Sequence, residues 1–249
     1  SAALIVALRS APEVSSRRAS PSGSPVTVSI VVPVASTRSQ PEPARTAIQL
    51  LAAQHPSRPR LAPIVREDGD IAGSIVAAAA DVDAELIVMG WQRPKLSRTL
   101  IGGTVARVMQ KTDAEVVVHY DRHPRPWKRL LVPYLWGDHD RAAVGLAQRL
   151  AQREAESVTI LHVIEPDEEP AHVDRFRESV DGTWCEVRVV AAADPLRAAV
   201  NEARDGEYDA IVVGTSRAWG LAPAFLGVRH EQLAKETNAS MLIVRAART

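Results

Sequence analysis

The sequence predicts an α/β protein of two tandem domains, each a five-stranded parallel sheet with helices on its faces. Three observations carry this expectation. One strand–turn–helix passage is written twice: Asp81–Gly90, DVDAELIVMG, lines up with Asp205–Gly214, DGEYDAIVVG. Short runs rich in β-branched residues alternate with single helical patterns, the order that builds parallel sheets with right-handed crossovers. A chain of 249 residues, 46% of them hydrophobic, can close two ordinary cores.

The elements follow in order. Ala3–Leu8 reads as a strand. Ser10 to Pro25 is rich in Ser, Arg and Pro and lacks an apolar stripe, so it reads as a loop or a single helical turn in place of a crossover helix. Val26–Val34 is the second strand. Glu42–Gln54 is a helix that turns Ala47, Leu50 and Leu51 inward, and Leu61–Val65 is the third strand. Asp70–Asp81 is a helix of small residues, followed by a strand over Glu85–Gly90, a helix near Thr104–Gln110 and a strand over Glu115–His119. The first domain is assigned to residues 1–123 and the second to 128–249, joined through the proline-bearing stretch around Pro124 and Pro126.

The second half repeats the plan more fully. Strands are expected over Arg129–Leu135, Val158–Ile164, Thr183–Val190, Asp209–Gly214 and Met241–Ala246. A long helix covers Asp138–Glu154, with Ala143, Leu146, Ala147 and Leu150 on one face and Asp138 as its N-cap. Further helices fall near Glu169–Ser179, Pro195–Arg204 and Arg229–Glu236. Pro195 suits the first helical turn behind Asp194 as cap.

Composition narrows the function. Up to Arg125 there are 15 Lys/Arg against 11 Asp/Glu, and beyond it 15 against 19, so the halves carry about +4 and −4 and cancel. No basic face is interleaved with aromatics, which are 4% of residues, and nucleic acid is excluded as a partner on that ground. Cys185 is the only cysteine; its alternation with Val187 and Val189 reads as a buried strand thiol in a reducing compartment. No apolar run approaches the length of a membrane span.

Each half ends its fourth strand on a glycine, Gly90 and Gly214. A second glycine introduces the next helix, at Gly103–Thr104 and at Gly227–Val228. Free N–H groups at a helix start, together with the helix dipole, attract phosphate. The competing reading is that these glycines only permit tight turns. Among the polar residues, Asp138, His139 and Asp140 read as a cap with exposed helix charges. His119 and His123 lack further soft ligands for a metal, and His162 reads as a hydrogen-bonded core histidine. Ser216 and His230 have no nucleophile-elbow motif around them, so no catalytic residue is expected.

The glycine turns resemble those of the universal stress protein family, present as two tandem copies with Rossmann-like sheets. The family pattern is glycine, two residues, glycine, nine residues, glycine, then Ser or Thr. It stands as Gly90-Trp91-Gln92-Arg93, nine residues, Gly103-Thr104 in the first copy, and as Gly214-Thr215-Ser216-Arg217, nine residues, Gly227-Val228 in the second. The resemblance implies an adenine nucleotide or another phosphate-bearing ligand, with no cofactor required. It places that ligand near Gly90, Arg93, Gly103, Thr104, Gly214, Arg217 and Gly227. Arginine replaces the second family glycine in both copies, and Val228 lacks the hydroxyl that Thr104 keeps. The aspartate that closes the first strand of nucleotide-binding members corresponds to Arg9 and Leu135. These departures make tight family-type ATP binding unexpected, and they favour the first domain for any ligand.

A narrower resemblance lies in Arg129–Ala143, RLLVPYLWGDHDRAA, and the following LAQRLA of Leu146–Ala151. It is similar to the cytosolic tails of bacterial cation/proton antiporters. That resemblance implies a regulatory or assembly region on the cytoplasmic side of the inner membrane that transports nothing itself. Its partners would be the membrane domain of the same polypeptide and a second copy in a homodimer. A start at Ser1 and a reduced first domain fit a tail that continues upstream. The alternatives are a freestanding cytoplasmic tandem stress protein that binds adenine nucleotide, and a purely structural dimerisation domain.

Overall fold

The computed structural model describes residues 5–9, 27–34, 61–67, 70–90, 103–122, 126–152, 155–166, 182–215 and 233–248, with isolated positions at 174, 176, 178 and 180. The expected helix over Glu42–Gln54 lies outside these residues, as do Arg93, Arg217, Gly227 and Val228. The described residues separate into two compact units. One lies within residues 1–90, 103–117 and 247–249, the other within 118–246.

In the first unit the order is β3-β2-β1-β4-β5, from strands β1 (Ile5–Arg9), β2 (Thr27–Val34), β3 (Leu61–Glu67), β4 (Leu86–Gly90) and β5 (Glu115–Tyr120), the last three residues of β5 being counted with the second unit. Helices α1 (Ile71–Asp81) and α2 (Gly103–Lys111) belong to it. β2 and β3 run parallel, but β1 is antiparallel to both β2 and β4. The first sheet is therefore mixed, which corrects the all-parallel expectation. The physical reason was visible in the sequence. A parallel neighbour needs a crossover, usually helical, and Ser10–Pro25 carries no amphipathic helix pattern to supply one.

The antiparallel β1 also corrects the role assigned to Arg9. Ile5 pairs with Met89 and Leu8 with Leu86, so β1 begins at the end of the sheet where β4 finishes. Arg9 follows Leu8 and lies toward the opposite end, so it is not the counterpart of a carboxylate beside Gly90.

The second unit is parallel throughout, in the order β10-β9-β6-β7-β8. Its strands are β6 (Arg129–Tyr134), β7 (Ser157–Ile164), β8 (Glu186–Ala191), β9 (Ala210–Gly214) and β10 (Ser240–Arg245). Helices α3 (Asp138–Ala151) and α4 (Pro195–Asp205) connect them. Leu130, Leu131, Ile160, Leu161 and Ile211 are fully buried in its core with Phe176. Each such side chain contributes roughly 1.5–3 kcal/mol by leaving water. Ala143, Leu146 and Ala147 of α3 and Leu196, Ala199, Val200 and Ala203 of α4 are buried at helical spacing. Pro195 opens α4, and the Asp194 carboxylate accepts from the Leu196 and Arg197 amides at 3.0 and 3.2 Å.

The repeated passage folds as a repeat. Asp83 and Glu207, matched positions, both adopt the left-handed region at φ 46° and 51°, unusual for residues other than glycine. The Glu115 amide donates to Glu85 at 2.9 Å, and the Ser240 amide donates to Asp209 at the same distance. Each turn thus hands its helix to a strand in the same way.

Three local expectations are corrected. The N-cap of α3 is the extended Gly137; Asp138 is the first helical residue and pairs with Arg141. Asp140 has no exposed surface, although it was expected as a solvated helix charge. Cys185 precedes β8 and is half-buried, so it is not a core strand thiol.

Candidate functional site

The second unit has a topological switch point. β6 is followed by β7 and β8 on one side, whereas β9 and β10 lie on its other side. Ligands of open α/β sheets collect beyond the strand carboxyl ends at such a point. Here those ends supply Leu135, Trp136 and Gly137 after β6, and Gly214 and Thr215 at the end of β9. The N-terminus of α3 begins there as well.

That crevice already holds an anion of the protein's own. The Asp140 Oδ2 accepts from the Leu135 and Gly137 amides, each at 3.0 Å. Asp140 is the third residue of α3, and its carboxylate reaches back over the first turn, where the helix dipole favours negative charge. Gly214 packs directly beneath it. A Cβ at Gly214 would meet Asp140 Oδ1 at 2.5 Å, the His139 carbonyl carbon at 2.5 Å and the Asp140 nitrogen at 2.6 Å. Contacts that close do not occur in folded proteins, so glycine at 214 lets α3 sit on the end of β9. The Thr215 amide continues the ladder by donating to Val244 at 2.8 Å, while its buried hydroxyl has no hydrogen-bond partner among the described residues.

Aromatic rings fill the neighbouring space beyond β6 and β7. His162 is buried, and its Nδ1 lies 3.1 Å from the Tyr134 carbonyl. A carbonyl only accepts, so Nδ1 carries the proton; this is the core histidine expected from the sequence. Its ring packs on Phe176 at 4.3 Å, and Trp136 meets it edge-on at 5.7 Å. Tyr134 completes the cluster at 5.0 Å from Phe176, and burial pushes its hydroxyl pKa up. Trp136 takes φ 68° to turn the chain from β6 into α3, a left-handed conformation that costs of order 1–3 kcal/mol and that the ring contacts help to hold.

His139 bonds on the side of β10 instead. Its Nδ1 accepts the Ala246 amide at 3.0 Å, just past β10. Burial lowers its pKa, Arg245 lowers it further, and Asp140 and Asp138 partly oppose them.

The corresponding position in the first unit is different. A Cβ at Gly90 would meet nothing within 4 Å among the described residues, and the same is true at Gly103. Gly103 is exposed at the start of α2, with Thr104 half-buried behind it. Arg107 lies one turn on, with its Nε 3.3 Å from the Gly103 carbonyl and its Nη1 3.3 Å from Asp70 Oδ1. Lys111 reaches the other Asp70 oxygen at 3.4 Å. Asp70 is the N-cap residue of α1 without a full capping hydrogen bond, yet the Gly73 amide is the largest influence holding its carboxyl below the ordinary range, with Lys111 and Arg107 adding to it against a partial desolvation penalty. Of the predicted site residues, the structure describes Gly90, Gly103, Thr104 and Gly214. It sets Gly214 against the Asp140 carboxylate, a contact that sequence reasoning missed. Acidic residues in the first turn of α3 were its only trace in the sequence.

Among the described residues no group of His, Cys, Asp and Glu is arranged to hold a metal ion. No described helix is long and apolar enough to cross a membrane.

Two Rossmann-like α/β units, each ending its fourth strand on a glycine, define a tandem α/β protein. The universal stress protein family model matches residues 19–119 and 126–245, and the chain belongs to that family. Among solved structures, it is similar to a universal stress protein from Archaeoglobus fulgidus at a TM-score of 0.65. That match has 16% identity and covers 90% of this chain and 88% of the other. It is also similar in fold to the cytoplasmic domain of a prokaryotic cation chloride cotransporter, with TM-score 0.55, 8% identity and coverage of 88% and 84%. Among curated proteins, it is 25% identical over 193 residues to the Na(+)/H(+) antiporter NhaS5 of Synechocystis sp.. That match takes in 73% of this chain, which spans 27% of the length of the antiporter.

Proposed function

We propose that the chain is a regulatory module without catalytic activity, in which the first unit takes an adenine nucleotide or another phosphate-bearing ligand and the second unit does not. One contrast supports the reading. The glycine that ends β9 is covered by the buried Asp140 carboxylate, whereas the glycine that ends β4 has open space around it among the described residues. A phosphate brought to Gly214 would meet a like charge already satisfied by the amides it needs. At Gly103–Thr104 a helix start, a hydroxyl and the nearby Arg107 cation are compatible with an anion. In sequence, Arg93 stands three residues after Gly90 and adds a positive charge between the two glycines. Calorimetric titration with ATP, ADP, AMP and cyclic dinucleotides tests this. The expected result is one site per chain, weakened roughly 10–100-fold by Thr104→Val through loss of a charge-assisted hydrogen bond. Two equivalent sites, or none, would count against it.

A second reading concerns where the module works, and the similarity to the Synechocystis antiporter favours it. The chain would be the cytosolic region of a cation/proton antiporter at the inner face of the membrane. It would act on the membrane domain of the same polypeptide and assemble as a homodimer. Coupling would require the ligand to bind two transporter states with different affinity. The complete encoded chain tests this: a series of transmembrane segments upstream of Ser1 is expected, and a coding region that starts near Ser1 would refute it.

A further inference from the structure

In the second unit a histidine grips the backbone at the end of a strand through a bond that only its neutral form can make. His139 is the second residue of α3, and its Nδ1 stands 3.0 Å from the nitrogen of Ala246, the first residue beyond β10. A backbone amide can only donate. Nδ1 must therefore be the lone-pair nitrogen, with the ring proton on Nε2. A proton added at Nδ1 would convert the acceptor into a donor and set N–H against N–H.

Among the described residues, the groups that face the ring come from three elements. β10 brings the buried Arg245 guanidinium, which disfavours a second positive charge. α3 itself brings Asp138 and Asp140, which favour it, but Asp138 is paired with Arg141 and Asp140 accepts from two backbone amides. β9 ends in Gly214 and Thr215 beside the first turn of α3, and neither titrates. Burial and Arg245 together outweigh the two carboxylates, so the neutral ring is the resting state.

We propose that His139 is a proton-operated latch on the carboxyl end of β10, closed on Ala246 when neutral and open when protonated. Opening releases one backbone amide at the edge of the crevice that Asp140 occupies. It leaves the Asp140 bonds to Leu135 and Gly137 in place, so the response is local. The latch stands on this contact alone and is independent of whether the first unit binds a nucleotide.

Isotope-edited NMR of the wild-type chain is the first test, because it needs no substitution. At about pH 8 the His139 ring should be the Nε2–H tautomer. As the pH falls to about 4.5, well below the ordinary imidazole value, exchange of the Ala246 amide, corrected for its intrinsic rate, should rise roughly five- to tenfold as one hydrogen bond is lost. His139→Gln offers a carbonyl acceptor that does not titrate, and in that variant the corrected exchange should stay flat with pH. An Nδ1–H tautomer at about pH 8 would overturn the proposal. So would Ala246 exchange that does not change with pH in the wild type, or that changes equally in His139→Gln.

Discussion

The Asp140 carboxylate occupies the volume that a side chain on Gly214 would need, with Oδ1 2.5 Å from where the Cβ would stand. The two residues are far apart in sequence and come from a helix start and a strand end. Their contact couples three features of the second unit: the glycine, the buried charge, and the close seat of α3 on β9. The first-unit counterpart, Gly90, has no such neighbour among the described residues.

Gly214→Ala should therefore destabilise the protein, by about 1–3 kcal/mol as overpacking does, whereas Gly90→Ala should change stability by no more than about 0.5 kcal/mol. Denaturant unfolding of both variants checks the difference. Two of the three close contacts at Gly214 are to α3 backbone atoms. Removing the Asp140 side chain should therefore not rescue the alanine, and equal costs at positions 214 and 90 would contradict this packing.

Asp140→Ala leaves the Leu135 and Gly137 amides without their acceptor, at a cost of about 2–3 kcal/mol. Asp140→Asn keeps one carbonyl oxygen for the same amides and should lose less. The comparison separates a structural acceptor from a simple surface charge, for which both substitutions would be close to neutral.

The pH dependence has a definite sign. His119 is pushed below the ordinary imidazole value by burial, with Asp121 partly opposing, and His139 by burial and Arg245. Both therefore bind fewer protons in the folded state than in the unfolded chain. Stability from these groups is present above the unfolded value near 6.5 and is lost as the pH falls below it. His119 packs edge-on against Trp127 at 5.1 Å, so His119→Phe keeps a ring there and should flatten part of the acid-side loss. Thermal unfolding across this range measures it, and a melting temperature that rises on acidification would refute the assignment.

The tandem repeat, most strand ends and the described helices were legible because hydrophobic periodicity and the matched Asp81–Gly90 and Asp205–Gly214 passages are local signals, although β8 begins at Glu186 and not at Thr183. Pro195 behind Asp194 was legible for the same reason. The antiparallel β1 was only half legible: the missing crossover helix could be read, but not the strand direction that follows from it. Asp140 was misread because the partners that bury it, the Leu135 and Gly137 amides and Gly214, are assembled by the fold. A carboxylate in the first turn of a helix looks alike in sequence whether it faces water or a neighbouring strand. Of the seven predicted site residues, Gly214 is in a packed contact, while Gly90, Gly103 and Thr104 remain the candidate seat of a ligand.

The central claim is that the two units differ at their glycine turns. It is tested most directly by mapping amide chemical-shift changes across the whole chain as ATP is added. The account predicts changes at Gly90, Gly103, Thr104 and Arg107, with Leu135, Gly137, Asp140, Gly214 and Thr215 unmoved. Changes centred on Gly214 and Asp140, with Gly103 and Thr104 unmoved, would contradict it.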